Sequence, residues 1–230
     1  MLIREAPAMH PSHAQTALGM LVMLACSYSA SAGTIQQSSS YQSCMAAPHA
    51  CTVLSLIRHQ LTGTIPSELG TLTNLVHLDL KYNELTGTIP CELAALSGLT
   101  YLEIAVNQLV GSIPSELGSL TGVTRMSLGM NNVTGTIPSS FAALTSVGRL
   151  YLDKNQLSGT IPSELGTLTR LTRMYVCDNQ GLCGDVPAGV RLYGDASVCW
   201  VAPTTGTLLG STCPSTAPTE DNSTPVADSG

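Results

Sequence analysis

Three arginines, Arg125, Arg149 and Arg173, recur at intervals of 24 residues, and Tyr151 and Tyr175 each follow an arginine by two positions. If each arginine begins a strand of one parallel sheet, the three side chains form a column with neighbours about 4.8 Å apart. Like charges at that separation repel, so an anionic ligand would stabilise the arrangement. Arginine and tyrosine are also enriched at the energetic centres of binding interfaces. The pattern predicts a recognition patch for an acidic peptide, a protein loop or an anionic glycan.

The same column continues towards the N-terminus with Tyr101, which completes the predicted site. The candidate ligand-binding residues are Tyr101, Arg125, Arg149, Tyr151, Arg173 and Tyr175. The alternative is a solvated strand face, on which Asp153, Asp178 and the tyrosine rings neutralise and pack the arginine side chains.

The sequence gives little support for catalysis. The five histidines have no spacing typical of metal ligands. His77 and Asp79 are close enough in sequence to interact on one strand, but no activated nucleophile or oxyanion-stabilising group accompanies them. We therefore predict a protein that is not an enzyme, with no catalytic residues, no bound metal and no cofactor.

A repeat of 24 residues must position the candidate site. The tetrapeptide Gly-Thr-Ile-Pro, with small variations, begins at Gly63, Gly87, Gly111, Gly135 and Gly159, and a degenerate copy begins at Gly184. A fixed period of this length predicts a solenoid, in which each coil buries its apolar side against its neighbours. Leu78-Asp79-Leu80 alternates as a half-buried strand does. An asparagine follows each strand, and its amide is expected to bond backbone groups inside the turn.

The repeat, typified by Leu72 to Pro90, resembles the plant-type leucine-rich repeat of receptor-kinase ectodomains and polygalacturonase-inhibiting proteins. The resemblance extends over about residues 44–187. It implies an α/β solenoid, a right-handed leucine-rich-repeat superhelix with a parallel β-sheet on the concave face and short 3₁₀ or helical turns on the convex side.

Composition shifts divide the chain further. The apolar run Ala17–Cys26, followed by Ala30-Ser31-Ala32, predicts a secretory signal peptide that is cleaved after Ala32; a buried helix or a wrongly assigned start codon is the alternative. The predicted segments are a signal peptide 1–32, an N-terminal cap 33–52, about six repeats in 53–187, a C-terminal disulfide cap 188–213 and a disordered Thr/Ser/Pro-rich tail 214–230. We predict a secreted protein, with no membrane insertion after signal cleavage.

The cysteines cluster at the two ends of the repeat array. By resemblance to plant-type caps, Cys44 is expected to pair with Cys51. Asn179-x-Gly-Leu-Cys-Gly resembles the C-terminal cap, where two bridges among four cysteines leave three connectivities open: Cys177, Cys183, Cys199 and Cys213. Cys91 is left over, and we expect a buried free thiol rather than a bond to another chain.

The formal net charge is −6, and only 10% of the residues are charged, which argues against nucleic-acid binding. Asn132 and Asn222 begin N-glycosylation sequons. The predicted partner is an extracellular protein, peptide or glycan, and the sequence leaves the oligomeric state open. The resemblance implies a receptor-like, co-receptor-like or hydrolase-inhibitor-like role.

A second array offers an alternative from another class of function. Thr or Ser repeats on one flank of the coils at positions 62/64, 86/88, 134/136 and 158/160, with Val110 and Ser112 in the third coil. Regular Thr-x-Thr arrays can order water, so ice binding or a structural role in a cell wall is the alternative. Threonine also suits an edge strand without any such role.

Overall fold

The computed structural model describes residues 33–192 and 208–209 of the 230-residue chain. The described part stacks coils that each contain a short strand, a turn and a 3₁₀-helix, so the predicted solenoid fold is confirmed. Several predicted features lie outside the described residues: the signal peptide 1–32, Cys199, Cys213, Asn222 and the tail 214–230.

The N-terminal cap closes the first coil with a short helix. Helix α1 covers Ser39–Ala46, and the Ser38 hydroxyl before it accepts a hydrogen bond from the Tyr41 N–H at 3.2 Å. Such a cap satisfies one of the amides that the first helical turn leaves unpaired. A disulfide joins Cys44 of α1 to Cys51, just before the first strand, so this predicted pairing is confirmed.

The main sheet is parallel, with six strands in the order β1–β2–β3–β4–β6–β8. The strands are β1 Val53–Ser55, β2 His77–Asp79, β3 Tyr101–Glu103, β4 Arg125–Ser127, β6 Arg149–Tyr151 and β8 Arg173–Tyr175. The register pairs residues that are 24 apart in sequence, such as Leu78 with Leu102. These central residues are fully buried, so every strand turns one side chain into the core and two towards the concave face.

A second sheet lies on the flank of the coils, which the single predicted sheet did not anticipate. Its order is β10–β9–β7–β5, with strands β5 Thr134–Gly135, β7 Gln156–Gly159, β9 Gly181–Gly184 and β10 Leu208–Leu209. Earlier coils contribute isolated bridges on the same flank, such as Thr64 with Thr86 and Ser112 with Thr134. Pairings of one or two residues are too short to give a period-two signal in the sequence.

Short 3₁₀-helices form the convex side, as predicted. They span Ser67–Thr71, Cys91–Ala95, Ser115–Ser119, Ser139–Ala143 and Ser163–Thr167. A proline precedes each one with an extended ψ near 130°, which separates the helix from the flank strand. Each helix buries one large apolar side chain, such as Leu69 or Phe141, against the leucines of the coil.

One buried asparagine after each of the strands β2, β3, β4, β6 and β8 forms hydrogen bonds to the neighbouring coil. We call these residues the asparagine column: Asn83, Asn107, Asn131, Asn155 and Asn179. The Oδ1 atom of Asn107 accepts from the Leu85 N–H at 3.1 Å, and its Nδ2 donates to the carbonyls of Leu80 and Ile104, both at 3.1 Å. The equivalent asparagines repeat these bonds and are all buried. In the first coil His59 occupies the asparagine position, and its N–H donates to Asn83 instead.

The residue before each asparagine has a left-handed backbone, which turns the chain off the strand. The φ angles lie between 54° and 59° at Tyr82, Val106, Met130, Lys154 and Asp178. This geometry is uncommon for residues other than glycine, and β-branched Val106 is the most unusual of the set. The turn places these side chains along one edge of the concave face.

Candidate binding face

The structure brings the predicted arginines together. Arg125 pairs in register with Arg149, and Arg149 pairs with Arg173. In the column two positions along, Ser127 pairs with Tyr151 and Tyr151 pairs with Tyr175. The three arginines therefore have the adjacency that the 24-residue spacing predicts, but their surroundings differ.

Arg125 already has an anionic partner within the protein. Its Nε forms an ion pair with Oε1 of Glu103, on the neighbouring strand β3. Its guanidinium also lies over the ring of Tyr151, 4.7 Å from the centroid. Both contacts stabilise a cation, so the charge of Arg125 is largely compensated without a ligand.

Two buried carboxylates extend this charge network towards the N-terminus. Glu103 is 4% exposed and Asp79 is 3% exposed. The Lys81 ammonium lies 3.0 Å from Oδ2 of Asp79 and 4.0 Å from Oε2 of Glu103. Burial raises the pKa of Glu103, while Arg125 and Lys81 oppose that shift. Strands β2 to β4 thus carry a charge-paired surface.

The two predicted tyrosines form a stack rather than two separate contact points. The rings of Tyr151 and Tyr175 are nearly parallel, with an interplanar angle of 7° and centroids 4.5 Å apart. Tyr175 is only 1% exposed, whereas Tyr151 is half-buried. Tyr175 therefore covers one face of the Tyr151 ring, and the edge of that ring is the part accessible to a ligand.

Arg149 is the exposed member of the arginine column. Among the described residues it takes part in no ion pair, in contrast to Arg125. Arg173, on the next strand, is half-buried. Positive charge available to a ligand is therefore found on β6, beyond the charge-paired strands.

Aromatic and apolar side chains occupy the other end of the face. Val53 is 58% exposed and Tyr101 is 42% exposed, and the His77 ring lies 5.3 Å from that of Tyr101. Exposed Tyr82 lies beside them at the strand edge, with Arg58 stacked 4.5 Å above its ring. An aromatic surface with polar tips is typical of binding interfaces.

A hollow of about 170 Å³ lies between the two ends of the face. Its floor is formed by the small residues Ala105 and Gly129. The equivalent positions in the coils before and after them hold Lys81 and Asp153. An added Cβ on Gly129 would lie 2.7 Å from Oδ1 of Asp153. The absence of a side chain at this position is therefore what lets the Asp153 carboxylate lie over the floor.

The threonine flank presents a different surface. Thr64, Thr88 and Thr136 are exposed at equivalent positions of their coils. Beside them run two open grooves of about 810 Å³ and 620 Å³. They are larger than the hollow, but their lining repeats the same threonine, proline, serine and glutamate types from coil to coil. The flank therefore offers periodicity rather than one distinctive site.

The described cysteines require one correction. Cys91 is a free thiol, as predicted, but it is exposed at the start of its 3₁₀-helix and not buried. The buried residue of that helix is Leu93, and Cys91 is its first residue. Cys177 and Cys183 both take part in disulfide bonds, whereas Cys199 and Cys213, with which the sequence grouped them, lie outside the described residues.

Across residues 33–192 and 208–209, no helix is long and apolar enough to cross a lipid bilayer. Within the same ranges, no three His, Cys, Asp or Glu side chains are grouped as ligands of a metal ion would be. Asn132 is exposed at the start of the flank segment, and its N–H donates to the Leu109 carbonyl at 2.8 Å.

Sequence reasoning missed the carboxylate of Glu103, which pairs with the first arginine of the column. Glu103 stands two residues after Tyr101, which pairs in register with Arg125, so Glu103 and Arg125 are diagonal neighbours. A long side chain reaches such a diagonal partner across adjacent strands. The signal was thus present in the aligned columns, because opposite charges stood in adjacent coils.

Comparison with known proteins identifies the repeat. The Leucine Rich Repeat family model matches residues 74–96, 98–120 and 146–168. The crystal structure of the Arabidopsis receptor kinase HAESA ectodomain, in complex with an IDA peptide hormone ligand, matches with 38% identity and a TM-score of 0.54. That match covers 56% of this chain and 22% of the HAESA chain. A comparison with curated protein sequences finds no significant match.

Two further structures resemble the chain over larger shares of their own length. A plant ice-binding protein matches with 31% identity and a TM-score of 0.57, over 68% of this chain and 57% of that one. The BIR2 ectodomain of Arabidopsis thaliana matches with 35% identity and a TM-score of 0.51, over 56% of this chain and 68% of its own.

The chain spans less than a quarter of the length of three long receptor structures that it matches. The shorter BIR2 ectodomain is matched over more than two thirds of its length, and the matched family model recurs at the 24-residue period of this sequence. The chain therefore belongs to the plant-type leucine-rich-repeat family.

Proposed function

We propose that the chain is a secreted, non-catalytic recognition module that binds an extended peptide or protein segment along its concave face. A glycan is the less favoured ligand class, because the ring faces of Tyr151 are occupied by Arg125 and Tyr175. Solenoids commonly bind along their concave surface, and the HAESA structure is a complex with a peptide hormone.

The observation that carries the proposal is exposed Arg149 next to the Tyr151 edge, with an apolar and aromatic surface at the opposite end of the same sheet. An acidic group of the partner pairs with Arg149, while its apolar part packs on Val53 and Tyr101. Electrostatic complementarity of this kind fixes the register of a bound segment and excludes wrong partners.

The test is affinity capture from extracellular fractions, followed by titration of the captured partner. Arg149→Glu is expected to weaken binding about tenfold or more, because it places a charge of the wrong sign against the acidic group. Arg170→Glu is the matched control, since Arg170 is exposed and lies outside the strands of the face. Equal loss with both variants, or with neither, would reject the concave face as the binding surface.

Secretion is part of the same proposal. Supporting observations are the Cys44–Cys51 disulfide and the ectodomain structures that the chain resembles. Expression in a eukaryotic secretory system is expected to release protein that begins at Gly33 and carries an N-glycan at Asn132. N-terminal sequencing and the mass change on enzymatic deglycosylation measure the two modifications separately.

Ice binding is a second candidate, favoured by the similarity to a plant ice-binding protein. The exposed array of Thr64, Thr88 and Thr136 would be the binding surface, interrupted by Val110 and Ser112. An ice binder shows thermal hysteresis that Thr88→Leu or Thr136→Leu abolishes and Arg149→Glu leaves intact. A glycan at Asn132, next to Thr134, would obstruct this flank, so fully glycosylated protein with undiminished hysteresis would also count against this surface.

A further inference from the structure

The hollow above Ala105 and Gly129 carries an inference that rests on the proposed peptide binding and adds to it. We propose that this hollow is a specificity subsite that receives one carboxamide side chain, glutamine or asparagine, of the bound peptide. Arg149 then binds the acidic group of the peptide further along the sheet. Arg125, which sequence reasoning grouped with Arg149, belongs to the subsite instead.

The size of the hollow selects part of a ligand rather than a whole one. Its volume of about 170 Å³ corresponds to about six water molecules at about 30 Å³ each. Complete small-molecule sites usually have about 300 Å³ or more. The hollow therefore has room for one amino-acid side chain whose backbone continues along the sheet.

The charges around the hollow exclude an ionised side chain. Lys81 and Arg125 contribute positive charge to its lining, and Glu103 and Asp153 contribute negative charge. A ligand carboxylate would meet Glu103 and Asp153, and a ligand ammonium would meet Lys81 and Arg125. In either case repulsion from one pair of lining groups offsets attraction to the other pair, so the lost hydration of the ligand charge is not compensated.

A carboxamide satisfies both kinds of lining group. It has an acceptor oxygen for Lys81 or Arg125 and two N–H donors for the carboxylates of Glu103 and Asp153. The half-buried apolar residues Val106 and Met130 form part of the remaining wall, and the methylene groups of a glutamine can pack against them. An alkyl side chain would fill the space but would separate the polar groups from water.

The floor of the hollow exists because two consecutive coils have small residues at a position where the first two coils have large ones. The equivalent positions are Ile57 in the first coil and Lys81 in the second, whereas Ala105 and Gly129 are small. A side chain at Gly129 would collide with Asp153, so this glycine keeps both the space and the orientation of the carboxylate. Gly129 thus determines the shape of the subsite, although it contributes no charged group to it.

The experiment selects ligands from a randomised, phage-displayed peptide library on the wild-type protein. Selected peptides are expected to share one Gln or Asn in addition to an acidic residue. Replacing that Gln by Glu, Lys or Ala in the synthetic peptide is expected to weaken binding to the wild-type protein about tenfold or more, because the hydrogen bonds between the amide and the charged lining groups are lost. This comparison needs no protein variant, so it does not depend on whether a variant folds.

Ala105→Leu fills the hollow and supplies the second arm. It is expected to bind the Gln peptide and its Ala analogue with equal, reduced affinity, while Ser55→Leu, on the same face but outside the hollow, preserves the discrimination. Two results would overturn the subsite and leave the proposed function standing. In the first, the selected peptides need Arg149 but bind equally well to Ala105→Leu. In the second, they carry an apolar or charged residue in place of the amide. Selected peptides insensitive to Arg149→Glu would overturn the proposed function itself.

Discussion

The concave face and the threonine flank belong to the same coils but differ in how their residues repeat. On the flank, the same residue type returns in most coils, as at Thr64, Thr88 and Thr136. On the concave face, a single column changes from His77 to Tyr101 to Arg125 in consecutive coils. A periodic surface complements a periodic ligand such as a crystal lattice, whereas an aperiodic surface complements one particular molecule. The contrast explains why one fold supports two candidate functions that use different sides.

Both faces depend on the asparagine column between them. Asn131 connects the end of strand β4 to the flank of the preceding coil, because it bonds the Leu109 N–H as well as the carbonyls of Ile104 and Leu128. Loss of the Asn131 side chain should therefore disorder both faces. We expect its effect on stability to be the largest of those that we predict.

Asn131→Ala leaves three backbone groups without their partner inside the coil. The free energy of unfolding is expected to fall by about 3 kcal/mol or more, because each buried unsatisfied group costs about 1–3 kcal/mol. Chemical denaturation with urea measures the change. Asn132→Ala, at the exposed neighbouring position, is the control and should change stability by less than about 0.5 kcal/mol. Similar losses in both variants would mean that the column is not what fastens the coils.

The flank alone is tested at Gly87. Its φ is +75°, and an added Cβ would lie 2.8 Å from Cγ2 of Thr64 in the preceding coil. Gly87→Ala is expected to destabilise the protein by about 2 kcal/mol through backbone strain and this collision. At temperatures where the variant stays folded, ligand binding on the concave face should be unchanged.

Gly98→Ala is the matched control for the flank, because an added Cβ there meets its nearest atoms at an ordinary 3.7 Å. Thermal unfolding of the two variants in parallel measures the difference. A Gly98→Ala variant as unstable as Gly87→Ala would show that any added methyl group disturbs the stack, and that the flank has no special packing.

The repeat made the fold predictable. One period aligned the central residue of every strand, as the pairing of Leu78 with Leu102 confirms, and it placed the asparagines that bond adjacent coils. The resemblance to plant-type caps predicted the disulfide between Cys44 and Cys51, and the structure confirms it. The short strands of the flank sheet were not predictable, because their two-residue pairings leave no pattern of alternation in the sequence.

The candidate site was predictable in its columns but not in its contacts. Register fixes which side chains are neighbours, yet Arg125 has several neighbours and the ion pair with Glu103 depends on rotamers that the sequence does not encode simply. The burial of Tyr175 and the exposure of Cys91 depend in the same way on packing around each position. Charge counted along one column therefore overestimated the positive charge available to a ligand.

The smallest expected effect concerns the charge-paired part of the concave face. The pKa of Glu103 is raised above its usual value of 4.5, chiefly by burial. As the pH rises, the unfolded chain therefore releases this proton before the folded protein does. Folded-state stability linked to Glu103 is thus greatest at or below the usual pKa and is lost as the pH rises through the raised one.

Glu103→Gln keeps the shape of the side chain but stays uncharged. We expect the stability of this variant relative to the wild type to increase between about pH 4 and pH 7, by an amount set by the shift in the Glu103 pKa. Urea denaturation at several pH values measures it, and Glu84→Gln, at an exposed site, is the control for the substitution itself. A Glu103→Gln advantage that instead decreases towards pH 7 would mean that the ion pairs with Arg125 and Lys81 outweigh burial. The carboxylate would then stabilise the concave face, and an uncharged ligand group would compete poorly for Arg125.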